Sequence, residues 1–346
     1  MPELQRDAVQ SRMLSGSRKA GGAHPTRSLK RKMRYFADGD IVKALDWPSL
    51  IEAIRLGFQR EASSPPRPHY TIPVPGTADA TLLLMPAWTV GGFIGVKTAT
   101  VFPGNSLRGE PAVNSHYLLI DARDGRPVAS FDGSELTARR TAAASALASI
   151  YLSRKDSERL LVMGTGKLAP LLAAAHASVR PIRWIRVWGR SRSKAEQLAG
   201  TLRANGFDAE AADDPEMEVG RADIVSCATL SRVPLVFGQW MKPGCHLDLV
   251  GAFTPEMREA DDDAIARSAV FVDTRAGATK EAGEIVQAVA NGTIRIDDIR
   301  GDLFDLANGR SAGRAAPDEC TIFKSVGCSL EDLIAAELVF NRCCGQ

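Results

Sequence analysis

Apolar positions follow one rhythm in the first third of the chain and a different one afterwards. Beyond Asp46, Leu50, Ile51, Ile54, Leu56 and Phe58 recur at helical spacing, which predicts a helix over 46–61 that Ser63-Ser64-Pro65-Pro66 ends. Short apolar runs follow at 70–74, 81–86, 93–101, 115–121 and 127–131, separated by Pro-Gly, Gly-Gly and Pro-Gly-Asn breakers. Successive strands joined by turns imply an antiparallel or mixed sheet. The period changes at Thr137. Residues 136–152 read as an alanine-rich helix, and Leu160-Leu161-Val162-Met163 has no polar position, as in a strand buried on both faces. Strand and helix then alternate to about Gly301, through Ile185-Arg186-Val187-Trp188, Ile224-Val225-Ser226, residues 247–250 and Val270-Phe271-Val272. That alternation predicts a doubly wound parallel sheet. Residues 329–340 again have helical spacing and would cross back to the first domain.

Composition changes this picture little. The 346 residues are 45% hydrophobic and 24% charged, enough for two cores. The formal charge is +2, and the excess sits in a Ser-, Gly- and Arg-rich leader over 1–32, expected to be disordered. A near-neutral body without a basic stripe gives no reason to expect a nucleic-acid partner. The leader lacks an apolar core and no stretch approaches the roughly 18 apolar residues of a membrane span, so the expectation is a cytoplasmic protein without a membrane partner. Six cysteines without C-x-x-C spacing and five scattered histidines suggest reduced thiols and no metal site.

The first candidate chemistry is Gly164-x-Gly166-x-x-Ala169, which follows a buried strand and precedes a helix. Each small residue has a task there: a tight turn, close approach of a pyrophosphate to Gly164-Thr165-Gly166, and packing of helix on strand. The helix N-terminus then faces the phosphates. An NAD site places Asp or Glu about 20 residues further on, but Trp188 is followed by Gly189-Arg190-Ser191-Arg192. Arg190 and Arg192 with Ser191 would instead grip a 2′-phosphate, which favours NADPH over NADH. Ser191 or Ser193 would also make a good helix N-cap. The expected fold class is α/β, a Rossmann doubly wound parallel sheet over 138–311 beside an α+β domain over 33–137, completed by a C-terminal helix within 312–346.

Three cations precede the glycine turn: Arg67 in Pro-Pro-Arg-Pro-His-Tyr, Lys97 in Gly-Val-Lys-Thr-Ala-Thr-Val-Phe-Pro-Gly-Asn, and Arg140 in Leu-Thr-Ala-Arg-Arg-Thr-Ala-Ala-Ala. Lys97 interrupts an apolar strand, where a buried amine must find an anion or lose its proton. These segments, with Asp132-Gly133, the glycine turn, Gly313-Arg314 and Thr321-Ile322-Phe323-Lys324-Ser325-Val326-Gly327, resemble the ornithine cyclodeaminase and mu-crystallin family from about Met33 to Phe340. The resemblance implies an NAD(P)-dependent enzyme of small amino or imino acids, whose first domain binds substrate and builds a homodimer. It also implies that Arg67, Lys97 and Arg140 surround a substrate carboxylate, with Asn114, Thr141 and Ser325 near the nicotinamide or its ribose. A clamp of cations would orient an imine carbon against the hydride donor, with Lys97 as proton donor or electrostatic partner.

One departure narrows the reaction. Where cyclodeaminases carry a catalytic Asp, this chain reads Leu249-Val250-Gly251-Ala252-Phe253-Thr254-Pro255, and Phe253 neither takes a proton nor binds an ammonium by charge. Asp248 would replace it only if it is not a structural carboxylate, which is the favoured reading. The variant resembles the reductase branch acting on Δ1-pyrroline-2-carboxylate and Δ1-piperideine-2-carboxylate, yielding proline or pipecolate. The alternatives are ornithine cyclodeaminase, an NAD-dependent amino-acid dehydrogenase, and a non-catalytic crystallin-like binder. His69 and His116 are expected to be hydrogen-bonded core residues, and Glu281 with Glu284 to lie on a solvated helix face.

Overall fold

The computed structural model describes residues 32–345, so the leader expected over 1–32 lies outside the described residues except for Lys32. The first sheet is mixed, in the order Arg34–Phe36, Pro127–Asp132, Val113–Asp121, Phe93–Val101, Ala80–Thr89, Ala62–Ser63, with His69–Ile72 also on Ala80–Thr89. Only the first pair is parallel. One face of this sheet packs under helices Ser329–Cys344 and Gly133–Leu152, and helix Trp47–Gly57 packs on those two. This last helix starts where the spacing predicts, because Asp46 caps it by accepting from Ser49 N at 2.9 Å. It ends at Gly57, short of 61, where Ile334 of the C-terminal helix presses on the space a Cβ would need.

The second sheet has eight parallel strands in the order Asp208–Ala211, Trp184–Trp188, Arg159–Met163, Ile224–Cys227, His246–Leu249, Cys320–Lys324, Ser268–Val272, Ile299–Asp302. The order reverses beside Arg159–Met163, which places a crevice beyond the glycine turn, as the doubly wound pattern demands. One strand was not expected here. Cys320–Lys324 lies within 312–346, the stretch assigned to the first domain, yet it is an inner strand of the parallel sheet with Thr321, Ile322 and Phe323 buried.

The alanine-rich helix Gly133–Leu152 runs through the position where the period changes and is capped by Asp132, which accepts from Ser134 N at 2.8 Å. Its alanines allow close approach from both sides. A single apolar cluster therefore contains Phe36, Tyr117 and Phe131 of the first sheet, Phe271 and Phe323 of the second, and Leu330 of the C-terminal helix. Among the described residues no helix is long and apolar enough to cross a membrane.

Asp248 is a fully buried carboxylate of the strand His246–Leu249. It accepts from Ser145 Oγ of the long helix (2.8 Å) and Ser226 Oγ of the adjacent strand (2.7 Å), and lies 3.1 Å from His176 Nε2 of helix Leu168–Val179. Burial alone would raise this carboxyl, but the hydrogen bonds from His176 and Ser226 hold it below the usual range. It ties two helices to the sheet. Replacing Asp248 by Ala leaves three buried polar groups without a partner, so urea unfolding is expected to show a loss of about 3 kcal/mol or more.

Candidate active site

The glycine turn is built as its residues require. Gly164 has φ +120°, and a Cβ there would lie 2.6 Å from the Ala228 carbonyl. Gly166 faces open space, with nothing within 4 Å of a Cβ, leaving room for a ligand to meet the backbone. Ala169 is buried against Leu160 and Val162, so the third small residue seats the helix on its strand. Beyond the turn lies a cavity of about 260 Å³ lined by Gly164, Thr165, Arg190, Ser191, Lys194 and Thr229 among others. Arg190 is exposed there and makes no ion pair among the described residues. Ser191 caps the helix Arg192–Ala204, accepting from Lys194 N at 3.5 Å. Arg192 is placed differently: it does not line the cavity and is held by Glu196 (2.5 Å) and Asp213 (2.6 Å). Lys194, which the sequence reading passed over, does line it.

The three cations of the first part converge. Lys97 is 3% exposed on Phe93–Val101, paired across the sheet with Met85 and Tyr117, and its Nζ lies 2.6 Å from Asp332 Oδ2. Arg140, on the long helix, donates from Nε to Asp332 Oδ1 (2.8 Å) and from Nη1 to Glu331 Oε2 (2.5 Å). Burial pulls the Lys97 ammonium down to about 8; Asp332 opposes this, while Arg140 and Arg67 add to it. Asp332 and Glu331 outweigh burial at Arg140, whose guanidinium is held above its ordinary value. Arg67 grips Glu281 through Nε at 2.9 Å and through Nη2, and its Nη1 lies 3.9 Å from Met85 Sδ. A second cavity of about 400 Å³ is lined by Arg67, Met85, Thr274, Glu281, Gly327 and Ser329 among others. Lys97 and Arg140 do not line this cavity: Lys97 is the cross-strand partner of its lining residue Met85, and Arg140 lies against its lining residue Gly327, where a Cβ would be 2.5 Å from Nη1.

The remaining expected residues divide. Thr141 is buried beside Arg140 on the long helix, and Ser325 follows the inner strand Cys320–Lys324, its Oγ 3.3 Å from Asp273 Oδ2. Asn114 is not gathered in. It pairs with Thr100 on the opposite face of the sheet from Lys97 and is exposed, with Pro111 O at 3.5 Å. His69 and His116 are exposed and not core residues; His69 lies 3.8 Å from Glu281 and His116 stacks on Tyr35. The solvated face expected of Glu281 and Glu284 is also corrected. Arg67 holds Glu281, and Glu284 is fully buried because its Oε2 meets Lys324 Nζ at 3.2 Å and its Oε1 accepts from Glu259 N at 2.7 Å. Glu259 in turn accepts from Thr229 N and Gly251 N, at 2.7 and 2.8 Å. Burial, with Glu284 adding to it, raises Glu259 to about 7. A pair of buried carboxylates thus links Thr229 in the wall of the first cavity to the helix Gly283–Ala290.

Residues 34–346 match the sequence profile of the ornithine cyclodeaminase/mu-crystallin family. The chain belongs to that family. Among family relatives, Protein SAR DEFICIENT 4 of Arabidopsis thaliana is 41% identical over 86% of this chain and 95% of its own. Delta(1)-pyrroline-2-carboxylate reductase of Paracoccus denitrificans is 38% identical over 88% of this chain and 96% of its own. The structure of the Thermococcus litoralis Delta(1)-pyrroline-2-carboxylate reductase, in complex with NADH and L-proline, superposes with a TM-score of 0.85 at 30% identity, covering 90% of this chain and 98% of that one. Such a fold, shared over nearly the whole length with a Rossmann-type reductase, accounts for the glycine turn, the crevice and the parallel sheet together.

The positive φ of Gly164 and the carbonyl behind it leave no room for a methyl group. Gly164→Ala is expected to raise the dinucleotide Kd by roughly tenfold or more, read by fluorescence titration, while the cation cluster is untouched.

Proposed function

We propose that this enzyme, an oxidoreductase of the class that acts on C=N bonds, uses NADPH to reduce a cyclic ketimine acid: Δ1-pyrroline-2-carboxylate to proline, and Δ1-piperideine-2-carboxylate to pipecolate. The observation that carries the reading is the gathering of three carboxylate-paired cations from separate elements at one cavity: Arg67 lines it, while Lys97 and Arg140 are buried next to its lining residues Met85 and Gly327. Each cation is already matched to a carboxylate oxygen, which is the chemistry an α-imino acid presents. In this reading Arg67 exchanges Glu281 for the substrate carboxylate, and Lys97 passes a proton from Nζ to the ring nitrogen. A bound nicotinamide supplies the hydride received by C2. One hydride and one proton then add across the C=N bond, and Lys97 recovers its proton from solvent. The residues fit the dinucleotide: the glycine turn leaves open backbone, and Arg190, Ser191 and Lys194 line the adjoining cavity without any Asp or Glu among its lining residues. That lining supports a 2′-phosphate.

The aromatic at Phe253, half-buried in the loop after His246–Leu249, favours an apolar ring over a diamine chain and so argues against ornithine cyclisation. Residues 33–137 with the helix Ser329–Cys344 would form the substrate half and 138–311 the dinucleotide half. The outer face of the first sheet exposes Tyr35, Tyr70 and Trp88, which supports pairing of two copies there.

A substrate panel tests the reading: both cyclic imines are expected to oxidise NADPH, and neither ornithine nor pyruvate with ammonia to be turned over. Lys97→Ala should abolish imine reduction with NADPH affinity held within about twofold. Because the ammonium is the acid, wild-type kcat/KM should be full below about 8 and fall as pH rises through it. Full activity of Lys97→Ala would remove the lysine from the mechanism. Arg190→Ala should raise KM for NADPH roughly tenfold and leave KM for NADH nearly unchanged, and an equal loss for both would mean that Arg190 does not read the phosphate.

A further inference from the structure

We propose that Asp332 is the positioning residue of this site, a single carboxylate that holds the Lys97 ammonium and the Arg140 guanidinium at a fixed separation so that both face the substrate. The inference rests on the proposed roles of Lys97 and Arg140, and its own basis is geometric. Asp332 is fully buried on Ser329–Cys344, and its two oxygens are divided between two cations from two other elements: Oδ2 at 2.6 Å from Lys97 Nζ on a strand, Oδ1 at 2.8 Å from Arg140 Nε on the long helix. The spacing of the cations is therefore set by one carboxylate. Glu331, the preceding residue, neutralises Arg140 from its other side at 2.5 Å and forms no ion pair with Lys97 among the described residues. Removing the Asp332 charge thus leaves Arg140 paired and Lys97 alone.

Among the described residues, five groups face Lys97 most directly. Tyr117 comes from the neighbouring strand, and its buried hydroxyl has no hydrogen-bond partner among the described residues. Met85 comes from the other neighbour, Arg140 from the long helix, Arg67 from the segment before His69–Ile72, and Asp332 from the C-terminal helix. Of these, Asp332 alone carries negative charge, so it is what keeps the buried lysine protonated near neutral pH. A carboxylate with a purely scaffolding role would affect stability without raising KM for the imine.

The test uses the full chain with 13Cε-labelled lysine, the Lys97 resonance being assigned by its loss in Lys97→Arg. In wild type it is expected to titrate near 8. In Asp332→Asn the midpoint should fall by about one pH unit or more. The alkaline limb of kcat/KM for Δ1-pyrroline-2-carboxylate should move with it, KM for the imine should rise roughly tenfold, and dinucleotide Kd should stay within about twofold. A folded Asp332→Asn whose Lys97 midpoint matches wild type overturns the proposal. If that variant does not fold, the wild-type Asp332 carboxyl resonance decides, since it must show a step at the Lys97 midpoint, and a flat resonance overturns the proposal equally. Failure of every cyclic imine to oxidise NADPH would remove the proposed function while leaving the Lys97 titration to stand or fall by itself.

Discussion

The structure depends on neutralising two buried cations. Lys97 and Arg140 are each about 3% exposed, and an isolated ammonium or guanidinium at such depth would cost several kcal/mol of lost hydration. Asp332 and Glu331 offset that cost only because the helix Ser329–Cys344 lies against both the first sheet and the long helix. Docking of this helix and completion of the cation cluster are thus one event. A site held in this way has little freedom to drift, which suits chemistry that needs a carboxylate and a ring nitrogen presented together.

The second polar layer lies at the ends of the parallel strands. Glu259 gathers the backbone amides of Thr229 and Gly251, both in loops leaving neighbouring strands, and Glu284 with Lys324 backs it from behind. These groups are fully buried, so the loops bordering the dinucleotide cavity are braced from inside the protein and not from its surface. Glu281, a few residues from Glu284, holds Arg67 at the other cavity. Between Glu281 and Glu284 the backbone is packed tightly at Gly283, where Met257 O sits 1.8 Å from the space a Cβ would take.

What the sequence disclosed follows the range of each interaction. The glycine turn was legible because its constraint is local: a positive φ, an open backbone and a helix seat within six residues. Strands and the alanine-rich helix were legible from their period. Lys97 announced its need for an anion by interrupting an apolar run, but the anion was not readable, since the carboxylate serving Arg140 lies 192 residues away. For the same reason Glu284 read as a surface residue although Lys324 buries it, and His69 and His116 read as core although they lie on exposed strand positions. Arg192 shared its motif with Arg190, and only the positions of Glu196 and Asp213 separate the two.

The placement of Cys320–Lys324 between His246–Leu249 and Ser268–Val272 has a bearing on how the molecule assembles. Two strands made earlier, Ser268–Val272 and Ile299–Asp302, join the rest of the parallel sheet only through this later one. During synthesis they must wait as a detached pair, so the eight-stranded sheet closes only after residue 324 has emerged. Closure of the sheet and arrival of the helix that follows are then consecutive, and the nascent protein gains its last inner strand and its anionic partners for Lys97 and Arg140 almost at once.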